Sequence, residues 1–210
     1  YFQGNYSKAV EYYRQVLDMP EPTASAVAQT NRMLTDVYIA QGDIDLAEKT
    51  AVKAEKAIKK IDEKKELGAL WRAYGQIYVA KKDSAKARDY FSRSSELLRR
   101  IGARYELAQT CLACGKSPAF EKDERLSYLS SAHALFSEMG VSGRLKEIDK
   151  ISKSLRAGQS TWLVQDKDDD SAPVFIAKNA RMREIVAQAE QLAPHNISVL
   201  LTGDTGTGKD

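Results

Sequence analysis

The sequence predicts an all-α protein, a superhelical solenoid of antiparallel helix pairs, that passes at its C-terminal end into a short α/β segment. Three observations predict this. The chain resembles itself about every 40 residues, which is the signature of stacked supersecondary units. Within each repeat apolar residues recur three and four apart, as on one face of a helix. After the last repeat the pattern changes to an apolar run, Ile197-Ser-Val-Leu-Leu-Thr202, that enters the glycine-rich stretch Gly203-Asp-Thr-Gly-Thr-Gly-Lys209 and Asp210.

Composition sets the frame for these elements. With 43% hydrophobic and 29% charged residues among 210, the chain is an ordinary soluble globular sequence. No run approaches the roughly 18 apolar residues of a membrane helix, and no basic-then-apolar leader opens the chain, so a cytoplasmic protein is expected. The net charge of +3 comes from nearly balanced acids and bases. Taken over the whole chain it makes no strong electrostatic case for nucleic acid, and DNA contact is expected elsewhere. Tyr1-Phe2-Gln3-Gly4 reads as the tail of an engineered protease-cleavage site, so residues 1–4 are set aside as an expression-tag remnant.

The repeats follow in order. Val37-Tyr-Ile-Ala-Gln-Gly-Asp43 is answered by Ile77-Tyr-Val-Ala-Lys-Lys-Asp83 at an offset of 40, and Ala47/Ala87, Ile58/Leu98 and Ile61/Ile101 keep that offset. A further copy at an offset of 38 pairs Asp89-Tyr-Phe-Ser with Ser127-Tyr-Leu-Ser and Leu97-Leu-Arg-Arg-Ile-Gly102 with Leu135-Phe-Ser-Glu-Met-Gly140. Each unit therefore reads as a helical hairpin, with Asp43 and Asp83 placed to cap the second helix by accepting a backbone N–H. The units are a half repeat at about 5–20, full repeats at 23–62 and 64–102, and a looser one at 103–140. A final helix, 143–156, sets Leu145, Ile148, Ile151 and Leu155 on one face against charges opposite, as suits the end of a solenoid.

The pattern Trp71-x-x-Tyr74-Gly75-x-x-Tyr78, with Ala87 and Phe91, resembles the tetratricopeptide repeat, and residues 5–156 are read as a domain of that type. Gly75 admits a close helix approach, and Trp71, Tyr78 and Phe91 fill the space between helices. Asn5-Tyr6-x-x-Ala9-x-x-x-Tyr13 matches the second helix of an earlier repeat whose first helix is expected to be cut away, leaving an apolar face bare.

From 157 to 173 the composition turns to Gly, Gln, Ser, Thr and Asp around Asp166-Lys-Asp-Asp-Asp170, which reads as an acidic flexible linker. Trp162-Leu163-Val164 is an apolar island in it, open to docking on a neighbour or to solvent. Residues 174–210 carry a helical pattern from Met182 to Leu192, a stop at Ala193-Pro194, and then the strand and glycine loop. A buried strand aims such a loop, its glycines bring backbone N–H groups to phosphate oxygens, and a lysine meets the terminal phosphates. This order resembles the opening of the AAA+ ATPase domain of sigma-54-dependent transcription activators, in which acidic residues follow the first glycine and the lysine, as Asp204 and Asp210 do. Ala177 and Asn179 depart from the family's usual Gly and Ser. The resemblance implies that Gly203, Asp204, Thr205, Gly206, Thr207, Gly208, Lys209 and Asp210 contact ATP and Mg in the parent, with Ile176 near the adenine. It also implies that the rest of the ATPase and a DNA-binding module lie after Asp210, and that the present chain is no enzyme and holds no nucleotide.

Elsewhere the chemistry is sparse. Cys111-Leu-Ala-Cys114 lacks the second pair or nearby His that a tetrahedral metal site needs. Its register sets Cys111 at the Gly75 slot and Cys114 at the Tyr78 slot, which favours buried packing. His133 and His195 stand without clustered partners. No catalytic triad or paired-carboxylate site exists, so no catalytic residue and no metal ligand is expected in the repeats.

The repeat resemblance implies a concave ligand surface lined by the first helices, here Gln29, Arg32, Asp36, Arg72, Gln76 and Tyr105. Arg32 and Arg72, one repeat apart, could grip an acidic group of a protein or peptide ligand, or could belong to a solvated charged face. The reading that results is a signal-sensing interaction domain controlling an ATPase that remodels sigma-54 RNA polymerase. The alternatives are a repeat scaffold on a non-transcriptional ATPase, and a self-association module giving a homo-oligomer.

Overall fold

A computed structural model of the chain describes residues 6–157, 163–164 and 175–176. Among the described residues it contains α1 (Tyr6–Leu17), α2 (Ala24–Gln41), α3 (Ile44–Ile61), α4 (Lys64–Ala80), α5 (Ser84–Arg100), α6 (Arg104–Lys116), α7 (Lys122–Glu138) and α8 (Ser142–Ala157). The all-α solenoid read from the sequence is the architecture observed. Helices α2/α3, α4/α5 and α6/α7 pair as hairpins, and α2, α4 and α6 also lie against one another in sequence order. The chain divides into two compact units, residues 1–155 and 156–210. In the second, β1 (Leu163–Val164) pairs antiparallel with β2 (Phe175–Ile176), Leu163 opposite Ile176.

The turns explain the spacing. Asp43 and Asp83 accept from the backbone N–H of Leu46 and Lys86, both at 3.1 Å, and Thr23 does the same for Ala26 at 3.2 Å. These caps satisfy donors that a helix start leaves open. The first two hairpins turn through a residue in the left-handed region after their first helix. Gly42 takes it at φ 81° and Lys82, one period later, at φ 61°. Backbone bonds from Asp43 to Tyr38 O and from Asp83 to Tyr78 O close both turns in the same way.

Inside each hairpin one slot alternates in size with the slot facing it. Phe91 of α5 presses on Gly75 of α4, where an added Cβ would meet the ring at 2.8 Å, and Leu129 of α7 presses on Gly115 of α6 at 2.5 Å. The equivalent positions of the preceding hairpin hold Thr35 and Ala51, both fully buried. A small helix residue therefore faces a large one, or two middle-sized residues share the space, as dense packing requires. Ile58, Leu98 and Phe136 fill a second slot that recurs from hairpin to hairpin, at 0–1% exposure. Burial of such side chains supplies about 1.5–3 kcal/mol each before entropy is counted.

In the third hairpin α7 keeps the offset of 38 read from the sequence, while α6 departs from the register read for it. Because Gly115 plays the part of Gly75, α6 keeps the offset of 40, and Cys111 and Cys114 fall at the Trp71 and Tyr74 slots rather than those of Gly75 and Tyr78. Ser117-Pro118 ends α6 a turn early, since proline cannot continue the hydrogen-bond ladder. Phe120, from the loop, then packs against Tyr128 with ring centroids 5.0 Å apart. Tyr78 packs likewise against Tyr90 at 5.4 Å.

Candidate functional site

The surface formed by α2, α4 and α6 is the region where the sequence placed ligand contacts, and its chemistry begins with two arginines. Arg32 is 5% exposed and Arg72 9%. Arg32 donates through Nε to Glu66 Oε2 and through Nη1 to Asp36 Oδ2, each at 2.6 Å. Arg72 donates through Nη1 to Glu106 Oε2 at 2.6 Å and to the Glu106 backbone oxygen at 3.3 Å. Each arginine thus reaches from one hairpin's first helix to the first turn of the next. Burial works against the charge of Arg32, but Asp36 and Glu66 outweigh it and raise its pKa above the ordinary guanidinium value.

The expectation that both arginines grip an incoming carboxylate changes accordingly. The guanidinium of Arg32 is engaged by two carboxylates and that of Arg72 by one, so the local charge is neutral to negative rather than positive. Glu66 and Glu106 went unnoticed in the sequence, although each lies 34 residues after its arginine and the two are themselves one period apart. A search for opposite charges at a constant offset would have found them.

The other residues expected to contact a ligand are all at least partly exposed. Gln29 is exposed, Asp36 and Gln76 are half-buried, and Tyr105 is 46% exposed. Tyr105 leans edge-on against Phe136, centroids 5.9 Å apart, and its hydroxyl accepts from Gln109 Nε2 at 3.0 Å. The arrangement can offer amide and phenol hydrogen bonds and one partly open carboxylate. It holds no nucleophile beside a base.

Cys111 and Cys114 are free and buried, in clusters with Leu107, Leu129, Phe91 and Phe120. Burial pushes both thiols up, so neither is a thiolate at neutral pH. Among the described residues no three His, Cys, Asp or Glu gather as metal ligands. His133 Nε2 lies 3.8 Å from Asp149 Oδ1 on an exposed face. Among the described residues no helix is long and apolar enough to cross a membrane. Gly203 to Asp210, and His195, lie outside the described residues, while Ile176 is the last residue of β2.

Residues 175–210 match the family model of the sigma-54 interaction domain, and residues 1–22 match that of a tetratricopeptide repeat. The HTH-type transcriptional regulatory protein TyrR of Salmonella typhimurium is 38% identical over 60 residues, covering 29% of this chain and 12% of the relative. TyrR of Enterobacter agglomerans is 37% identical over the same length. These matches fall in the C-terminal part, and the chain spans about 12% of the length of these curated relatives. Among solved structures, BtubC (BKLC) from P. vanneervenii aligns with 84% of the chain and 82% of its own at 13% identity and TM-score 0.46.

Proposed function

From a chain that carries tetratricopeptide-type and sigma-54 interaction sequence together, we infer a sigma-54-type transcriptional regulator whose residues 5–156 form the signal-sensing, protein-binding domain. The observation that carries this reading is the joining, in one polypeptide, of a helix-pair solenoid to a segment matching the sigma-54 interaction domain. That the TyrR relatives are transcriptional regulators by name supports it. In the complete regulator, residues 203–210 bind ATP and Mg, and the segment 157–173 transmits the state of the repeats to the ATPase acting on sigma-54 RNA polymerase.

The groove is the sensing surface in this reading. Gln29, Gln76 and Tyr105 supply hydrogen bonds to a protein or peptide ligand, and Asp36 favours a donor or cation on it. Arg32 and Arg72 act one layer beneath by fixing the spacing of neighbouring hairpins. The test is the ATPase rate of the complete regulator with and without residues 5–156. A rate that changes when residues 5–156 are removed, and that Gln76→Ala also alters in the form that keeps them, supports the reading. An unchanged rate would sink it. Lys209→Ala is expected to abolish the activity in either form.

A further inference from the structure

Helix α3 carries a second, unrelated surface. Lys49, Lys53, Lys56 and Lys60 are all exposed, and their spacing of four, three and four residues sets them in one row. At about 100° per residue they fall within about 60° of arc, and at about 1.5 Å rise per residue the row is roughly 16 Å long. None of the four makes an ion pair among the described residues. The two glutamates of α3 are neutralised elsewhere: Glu48 pairs with Lys81 at 2.5 Å, and Glu55 pairs with Lys59 at 2.8 Å and accepts from Tyr74 at 3.1 Å. Asp45, in the first turn, is the one carboxylate of α3 at the row's edge.

We propose that this lysine row docks on the phosphate backbone of double-stranded DNA. Lysine is a compact point charge with freely rotating donors, which suits phosphate and needs no bidentate geometry. The charges succeed one another at about one helical turn, roughly 5–6 Å, with no aromatic ring between them. A single strand is disfavoured because bases would find nothing to stack on. An acidic protein surface is the poorer fit because stable protein interfaces centre on an apolar core with charge at the rim. Here the row itself is the centre, and Leu46 and Val52 stand singly on its two sides.

The near-neutral balance of the whole chain conceals this surface. Residues 1–157 hold 27 Lys and Arg against 21 Asp and Glu, whereas residues 158–210 hold 5 against 8. The helical region is therefore distinctly basic, and the contact is sequence-independent, adding affinity rather than site choice. It does not depend on the ATPase reading, and it can fail or hold while that reading stands.

The test is fluorescence anisotropy of a labelled, mixed-sequence DNA duplex with the 210-residue chain. Four phosphate contacts give a slope of log K against log salt of about −3.6, so raising salt from about 50 to about 200 mM weakens binding roughly 150-fold. The quadruple variant Lys49→Gln/Lys53→Gln/Lys56→Gln/Lys60→Gln is expected to bind at least tenfold more weakly at low salt with unchanged circular dichroism. The quadruple Lys→Arg variant keeps binding. The charge-matched control Lys65→Gln/Arg99→Gln/Arg100→Gln/Lys153→Gln keeps most of it. Equal loss in the control and the row variant overturns the proposal, as does a wild-type chain that binds a poly-glutamate peptide through the row but not the duplex.

Discussion

Removing Glu66 tests the physical role assigned to the buried arginines. In Glu66→Ala, Arg32 keeps Asp36 but loses the carboxylate at 2.6 Å, and both Arg32 and Glu66 are nearly sealed, with side chains 7% and 10% exposed. Arg32 cannot escape by losing its proton, because a guanidinium stays charged in proteins. Leaving one member of a buried pair unpaired costs about 3–5 kcal/mol. Asp36 remains and is partly open to water, which places the expected loss near the lower end, about 3 kcal/mol. For a domain of this size each kcal/mol moves the melting temperature by about 2–4 °C. A fall of roughly 6–12 °C in a far-UV circular dichroism melt is therefore expected. The comparison is Glu138→Ala, which removes the partner of Arg104 from a pair whose side chains are 53% and 60% exposed. There the loss stays within about 1 kcal/mol. Replacing both buried partners, as Arg32→Met/Glu66→Leu, recovers most of the stability, since the charge left without its partner, Asp36, is partly open to water. A Glu66→Ala shift no larger than that of Glu138→Ala would refute the reasoning.

Three further outcomes follow from the packing and the caps. Lys82→Gly relieves a left-handed residue at φ 61° and is expected to raise stability by about 0.5–1 kcal/mol in urea unfolding, the strain removed exceeding the added chain entropy. Gly75→Ala drives a Cβ to 2.8 Å from the Phe91 ring and costs about 1–3 kcal/mol. Combined with Phe91→Ala it costs less than the two single losses together, because the second change opens the space that the first requires. Glu124 is held at about 2, below its ordinary 4.5, by its hydrogen bonds to Arg88 and to the Glu121 N–H. A lowered folded pKa stabilises above the unfolded value and is lost on acidification, so Glu124→Gln flattens the fall in melting temperature between pH 4.5 and 2.

Much of the fold was open to reading because a helical repeat writes itself into the chain twice, as a period of 40 and as apolar spacing of three and four. Asp43 and Asp83 mark helix starts whatever the rest of the protein does, since an N-cap is local chemistry. The third hairpin shows where this stops. The offset of 38 read from Ser127 to Gly140 holds in α7, but the Cys111 and Cys114 slots read for α6 do not, and only packing shows the true ones: Gly115 lies under Leu129 as Gly75 lies under Phe91, and Phe120 takes the place beside Tyr128 that Tyr78 takes beside Tyr90.

The candidate groove divides in the same way. Its membership, from Gln29 to Tyr105, came from helical register, which fixes the face on which a residue lies. Whether Arg32 and Arg72 are free on that face depends on Glu66 and Glu106, 34 residues away, and no local rule relates such partners. The lysine row of α3 is the opposite case. Its spacing is plain in the sequence, but that Glu48 is drawn to Lys81, just past α4, and Glu55 to Tyr74 of α4 as well as to Lys59, is decided largely by the packing of one helix on the next. By itself the sequence determined the period, the helices, their caps and the class of the C-terminal segment, because these rest on contacts within a few residues or on repetition. Only the tertiary structure decided which charges are neutralised and which remain for a partner, because a charge's energy depends on what lies within a few ångströms of it in space.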